Sequence, residues 1–276
     1  MLEIPESRVV SEQLNRMAAG KTIRNVYPNH SPHKFAFFFD DPANYHSLLS
    51  GKTLSKAVPI GGQIELYADN ARIVFGDGVN IRFFSEEDTL PEKHQLRIEF
   101  DDFSSIVCSV QMYGGLSAFL DGQNDNFYYH VAKEKPSPLS ADFNESYFDT
   151  LFSSAKATLS AKAFLATEQR IPGLGNGVLQ DILFLAQIHP KSKISTLNDA
   201  KKEKLFESVK HTLFEMTSKG GRDTEKDLFG SSGGYKTHLS SKTLKEPCPV
   251  CGDSIVRQAF LGGNIYFCPS CQPLTA

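Results

Sequence analysis

The sequence predicts an α+β protein built as an N-terminal antiparallel β-sandwich with one helix, a helical domain, and a C-terminal four-cysteine zinc finger. Three observations predict it. Residues 22 to about 112 carry short alternating or apolar runs separated by Asp, Asn and Gly turns, the pattern of a sandwich or barrel. Past residue 145 the apolar period becomes helical. The last thirty residues hold Cys248-Pro-Val-Cys251 and, sixteen residues on, Cys268-Pro-Ser-Cys271.

Residues 6–19 read as an amphipathic helix with Val9, Val10, Leu14, Met17 and Ala18 on one side and Gly20 as its stop. Strands are expected at 35–39, 63–67, 71–75, 80–84, 96–100 and 105–110. Residues 132–141 hold two prolines and read as a linker. Helices follow near 145–154, 160–168, 177–187 and 197–218, with Thr196 as the N-cap of the last. The division is therefore 1–131 for the sandwich and its helix, 132–144 for the linker, 145–240 for the helical domain and 241–276 for the finger.

Two C-x-x-C pairs at this separation can close a tetrahedral thiolate site around one zinc ion. Pro249, Gly252 and Pro269 favour the tight turns that hold each pair. Residues 254–257 and 264–267 alternate as a hairpin would, with Gly262-Gly263 as its turn. Four thiolates leave no open position, so this Zn2+ is structural. The alternatives are two disulfides or unrelated cysteines. The fifth cysteine, Cys108, sits in an apolar strand and reads as a buried thiol.

Composition sets the outer limits. The chain has 276 residues, 40% of them hydrophobic and 22% charged, which is ordinary for a globular protein. No stretch is apolar for about 18 residues, the length of a membrane span. An acidic start without a basic n-region is unlike a signal peptide. Cysteines in metal spacing fit a reducing cytoplasm. The net charge of −3 is unevenly spread: residues 1–150 hold 13 basic and 21 acidic side chains, a net of −8, and the remainder nets +5. A basic, zinc-bearing half beside an acidic half fits a polyanion on one side only. For Lys201, Lys202, Lys204 and Lys210 the alternative is a solvated helix face.

The most specific internal motif is Ile171-Pro-Gly-Leu-Gly-Asn-Gly177, followed by an apolar helix that ends in Ile188-His-Pro190. Gly173 and Gly175 permit a sharp turn and a close backbone approach. A helix that begins there offers free N–H groups and a positive dipole end, a phosphate site, with Asn176 placed to add its amide. The alternative is a plain helical hairpin with an asparagine cap. His189 is expected to cap or pack, and Glu168 and Asp181 to organise helix ends.

Taken in order, an acidic Pro-containing start, a sandwich, the G-L-G-N-G turn, Ile-His-Pro and C-x2-C-x16-C-x2-C-Q resemble the formamidopyrimidine-DNA glycosylase / endonuclease VIII family over the whole chain. Segments at 49–54, 95–102, 138–143 and 217–221 fall where similar family segments fall. The resemblance implies a helix–two-turns–helix motif in the helical domain and double-stranded DNA, damaged or abasic, across the cleft between domains. It implies a monomer, nucleoid-associated if bacterial.

The family attacks C1′ of a damaged nucleotide with an N-terminal proline exposed after Met removal, an adjacent glutamate moving protons. Here Glu3 is present but position 2 is Leu2, too bulky for ordinary removal of Met1. The family's sandwich lysine falls at Gly62 or Gln63, and its finger arginine at Gly263. Of the loop that fills the gap left by a flipped base, only Tyr113 persists, and the wedge methionine becomes Asp77. The segment from Gly220 to Tyr235 corresponds to the family's lesion-reading loop, the alternative being a simple mobile loop. Retained are Glu3, Lys162, Gly173, Gly175, Asn176 and the cysteines. The expectation is a DNA-binding relative, with Asn176, Gly175, Gly173, Lys162 and Tyr113 as contacts and with reduced or absent glycosylase activity. The alternatives are an active glycosylase/AP lyase using the Met1 amine with Glu3, or a protein- or RNA-interaction module.

Overall fold

The structure, a computed structural model, describes residues 2–275. The first helix, α1 (Ile4–Met17), carries Pro5 in its first turn, where the missing N–H costs nothing. It starts two residues before the apolar period suggests, because Ile4 and Pro5 are themselves buried.

Two sheets follow. One has the order β1-β7-β8-β6, from β1 (Ile23–Pro28), β6 (Val79–Phe84), β7 (Leu96–Phe100) and β8 (Ser105–Val110). The other has the order β2-β9-β5-β4-β3, from β2 (Ala36–Phe38), β3 (Leu54–Ile60), β4 (Gln63–Ala68), β5 (Ala71–Phe75) and β9 (Gly114–Leu120). All pairings are antiparallel except β2 with β9. A short helix, α2 (Tyr45–Leu49), precedes β3. Leu14, Ile64, Ile73, Phe75, Ile98, Phe100, Ile106 and Leu116 fill the space between the sheets, and Cys108 lies among them. Burial pushes the Cys108 thiol far up, so it is an apolar core residue.

Strands β1 and β3 lie inside the 22–112 stretch expected to hold strands without being singled out there, and β9 lies beyond it. Lys and Pro interrupt the alternation in β3, and β9 opens on Gly114-Gly115, a residue type poor in strands. The stretch read as a linker from 132 begins inside a helix, α3 (Phe127–Glu134). Asn126 caps it, accepting from the amides of Tyr128 and Tyr129. Tyr129 and Ala132 seal α3 against Ile60, Val74 and Phe119 on the outer face of the larger sheet.

The helical part comprises α4 (Glu145–Ser154), α5 (Ala161–Ala166), α6 (Val178–Leu185) and α7 (Asp199–Ser218). Its core joins Phe143, Phe148, Phe164, Leu179, Ile182, Leu183, Leu205, Val209 and Leu213. The N-cap of α7 is Asn198, whose side chain accepts from the Lys201 amide; Thr196 sits in a preceding 3-10 turn. The chain closes with a hairpin of β10 (Val256–Phe260) and β11 (Gly263–Phe267). Among the described residues no helix is long and apolar enough to cross a membrane.

Candidate nucleic-acid interface and zinc centre

The four finger cysteines converge. Their sulfur atoms all lie within 4.8 Å of one another, with Cys248 and Cys271 at 3.7 Å and Cys251 and Cys268 at 3.5 Å. Zn–S bonds of about 2.3 Å arranged tetrahedrally put sulfurs about 3.8 Å apart, so the set fits one zinc ion. A disulfide would need about 2.05 Å, which removes that alternative. The knuckles are braced by their surroundings: Asp253 accepts from the Ser270 hydroxyl at 2.6 Å, and its carbonyl accepts from the Cys248 amide at 2.7 Å. Buried Gln272 accepts from the Cys268 amide at 3.1 Å and donates to the Ile188 carbonyl at 2.9 Å, fastening the finger to the helical core.

The hairpin turns at Leu261-Gly262, not at Gly262-Gly263. Both turn residues have positive φ, 48° and 72°, while Gly263 is an ordinary strand residue paired with Phe260. A Cβ on Gly263 would sit 3.5 Å from the Asn176 carboxamide, a normal contact, so no backbone constraint demands glycine there.

The glycine-rich turn before α6 is where the parts of the chain meet. Asn176 donates to the Asn264 carbonyl at 3.0 Å, and Gln180 donates to the same oxygen at 3.1 Å. The Asn176 Oδ1 atom is buried without a partner among the described residues. The amides of Gly177 and Val178, the positive end of α6, are occupied: both donate to Glu3, at 2.9 and 2.8 Å. The glycines make room for the chain itself. A Cβ on Gly173 (φ 80°) would meet the Gly62 nitrogen at 2.0 Å; one on Gly175 would meet the Glu3 carboxylate at 2.7 Å; one on Gly177 would meet Arg222 at 1.8 Å. Gly62 is equally tight, its Cβ position lying 3.0 Å from the Gly173 Cα and 3.1 Å from the Leu2 carbonyl.

Arg222 is the residue that sequence reasoning missed. Its guanidinium is fully buried and donates to Glu6 through Nε at 2.9 Å and Nη2 at 2.7 Å, while Nη1 stands 3.4 Å from Glu3. Burial pushes the Glu3 carboxyl above its usual range, with Arg222 opposing. Burial also disfavours the Arg222 cation, but the two glutamates more than offset it and hold its pKa up. Only the Gly220-Gly221 pair hinted at a constrained turn here. The loop that follows is anchored to the sandwich. Gln13 donates to Asp227 and accepts from the Leu228 amide, both at 2.9 Å, and Leu228 lies in the sandwich core. Leu2 enters the same core, and the void left between Leu2, Ile81 and Glu225 is about 10 Å³, no larger than one water molecule.

The other expected contacts are placed as follows. Lys162 is buried, donates to the Phe260 carbonyl at 2.7 Å, and has its pKa lowered by burial. Tyr113 is exposed and donates to Asp77 at 3.1 Å; burial and the Asp77 charge push its hydroxyl up to about 12. His189 packs on Phe267 and accepts from the Lys191 amide at 3.0 Å. Asp181 is buried and accepts from the amides of His238 and Leu239 at 2.9 and 2.8 Å. Of the helix lysines, Lys210 donates to the carbonyls of Ser140 and Phe143, and Lys202 and Lys204 to Asp199 and Gln187, so three have partners within the chain. Met1 lies outside the described residues.

Comparison with known proteins agrees with this arrangement. Residues 245–274 match the zinc finger found in FPG and IleRS. The formamidopyrimidine-DNA glycosylase of Bacillus cereus is 28% identical over 279 residues, covering 99% of both chains, and that of Legionella pneumophila is 28% identical over 285 residues with the same coverage. This chain is therefore similar over nearly its whole length to formamidopyrimidine-DNA glycosylases, and its last residues match their zinc finger. Among solved structures, the Lactococcus lactis Fpg in complex with abasic-site DNA superposes with a TM-score of 0.83 at 23% identity, over 98% of this chain and 99% of that one. The Thermus thermophilus protein gives 0.81 at 21% identity, over 99% and 100%. The zinc-finger match thus contains Cys248, Cys251, Cys268 and Cys271, the four cysteines that converge as a ligand set.

Proposed function

We propose that this protein binds double-stranded DNA at damaged or abasic sites and has reduced or absent glycosylase activity. The observation that carries the reading is the state of Glu3. A carboxylate that accepts from two helix amides and faces a buried arginine is held as a clasp between sandwich, helical domain and loop. A proton shuttle must instead reach a substrate atom. Leu2 supports the same reading, since a leucine packed in the core stands where the family has proline and supplies no secondary amine for attack.

Binding rests on the groups that remain. The turn at Gly173, Gly175 and Asn176 is joined to the zinc hairpin, and relatives of this architecture bear the name of DNA glycosylases or were solved with abasic-site DNA. The amides of Gly175 and Asn176 donate to no acceptor among the described residues, and they suit a phosphate oxygen. Tyr113 and Lys162 complete the set, the first as an exposed aromatic and the second through the hairpin it fastens.

Two measurements test this. Asn176→Ala should weaken binding to abasic-site duplex about tenfold, the worth of one hydrogen bond to a charged group. Indifference would favour a protein- or RNA-interaction module. Borohydride should trap no covalent adduct with abasic-site DNA. An adduct lost on blocking the N-terminus would establish instead an AP lyase that uses the Met1 amine.

A further inference from the structure

The tip of the zinc hairpin holds a residue that local conformation disfavours. Two-residue turns with positive φ at both positions select Asn-Gly, because asparagine tolerates the left-handed region and leucine does not. Here the pair is Leu261-Gly262, with Leu261 at φ 48°. Among the described residues, Leu261 and Phe103 are the two large apolar side chains at positive φ. Phe103 has a reason to be there, since the Arg24 guanidinium covers its ring at 4.4 Å. Leu261 is 53% exposed and packs into none of the hydrophobic clusters. The site therefore costs conformational energy and exposes an apolar side chain, two penalties that asparagine would avoid.

The tip is also held firmly. Lys162 grips the Phe260 carbonyl at 2.7 Å on one side, and Asn176 and Gln180 grip the Asn264 carbonyl on the other. Lys191 stands 5.1 Å over the Phe260 ring, placing a cation beside the tip. A rigid, cation-flanked apolar point adjoins the turn to which the DNA-binding reading assigns a phosphate.

We propose that Leu261 is an apolar wedge that enters duplex DNA at a base step next to the phosphate held by the Asn176 turn. The inference rests on the DNA-binding reading and adds a source of specificity. Inserting an apolar side chain costs unstacking, and that cost is smallest where a base is missing or mismatched. Leu261 then supplies preference for weakened stacks without any base being taken into a pocket.

The test uses the full zinc-loaded chain and Leu261→Asn, with a duplex carrying a tetrahydrofuran abasic analogue, its intact counterpart, and 2-aminopurine beside the analogue. The natural chain should prefer the abasic duplex and raise the 2-aminopurine fluorescence. Leu261→Asn should melt at an equal or higher temperature and bind intact duplex within about twofold of the natural chain. It should lose most of the abasic preference, about tenfold, together with the fluorescence rise. Leu261→Met, apolar and similar in size, should keep both. The wedge is overturned if the natural chain binds but Leu261→Asn shows undiminished preference and fluorescence. If the natural chain binds neither duplex, the DNA-binding reading falls and the wedge falls with it.

Discussion

At Glu3 two helix amides and a buried guanidinium meet one carboxylate, and a neighbouring carboxylate, Glu6, shares the guanidinium. Burial dominates and pushes the Glu3 carboxyl up. A carboxyl raised in the fold is better tolerated when protonated. Its contribution to stability is full below the ordinary carboxylate range and is lost as pH rises through the raised folded value. The melting temperature of the natural chain minus that of Glu3→Gln should therefore fall as pH rises above the ordinary carboxylate range. A difference that grows with pH would show that the amides and Arg222 outweigh burial. Glu3 itself was visible in the sequence as a family position, but its engagement was not. Nothing near residue 3 announces an arginine more than two hundred positions away.

Among the elements, the zinc hairpin was the most legible and α3 the least. Two C-x-x-C pairs state their geometry through spacing alone, because the metal imposes it. Its turn was misplaced by one residue, since Gly262-Gly263 is the conventional pair and the chain uses a strained leucine instead. Helix α4 was read at its true bounds, with Asn144 capping it through the Tyr147 amide. Helix α3 was missed although Asn126 caps it, because at eight residues it is too short to display more than one buried apolar i, i+3 pair, Tyr129 and Ala132. The hairpin also yields a test at this scale. Chelating the zinc should unravel a hairpin whose own apolar cluster is small, lowering DNA affinity at least tenfold. Far-UV circular dichroism should barely change, as the hairpin strands cover ten of 276 residues. Unchanged affinity after verified zinc loss would remove the finger from the interface.

Across the whole molecule, Arg222 joins the first helix, the turn before α6 and the loop that follows α7. Arg222→Ala would leave Glu3 and Glu6 buried with no cation, a loss of about 3–5 kcal/mol when one partner of a buried ion network is removed. Chemical denaturation should report that drop. A change under about 1 kcal/mol would show the network to be dispensable. The glycines of the turn belong to the same scale. Their sequence pattern suggested room for a ligand, whereas the space is taken by Glu3, Arg222 and the Gly61-Gly62 hairpin.

What the sequence by itself determined was local: helices from apolar period and caps, alternating strands, and a metal site from cysteine spacing. Its likeness to a family added the order of domains. Only the tertiary structure decided which donors each buried carboxylate meets, that the α6 N-terminus is filled from within, and that Leu228 and Leu2 share the sandwich core. The physical reason is range. Turn, cap and metal-knuckle signals act over a few residues, while the Arg222–Glu6 contact spans 216 positions and exists only once two domains have packed.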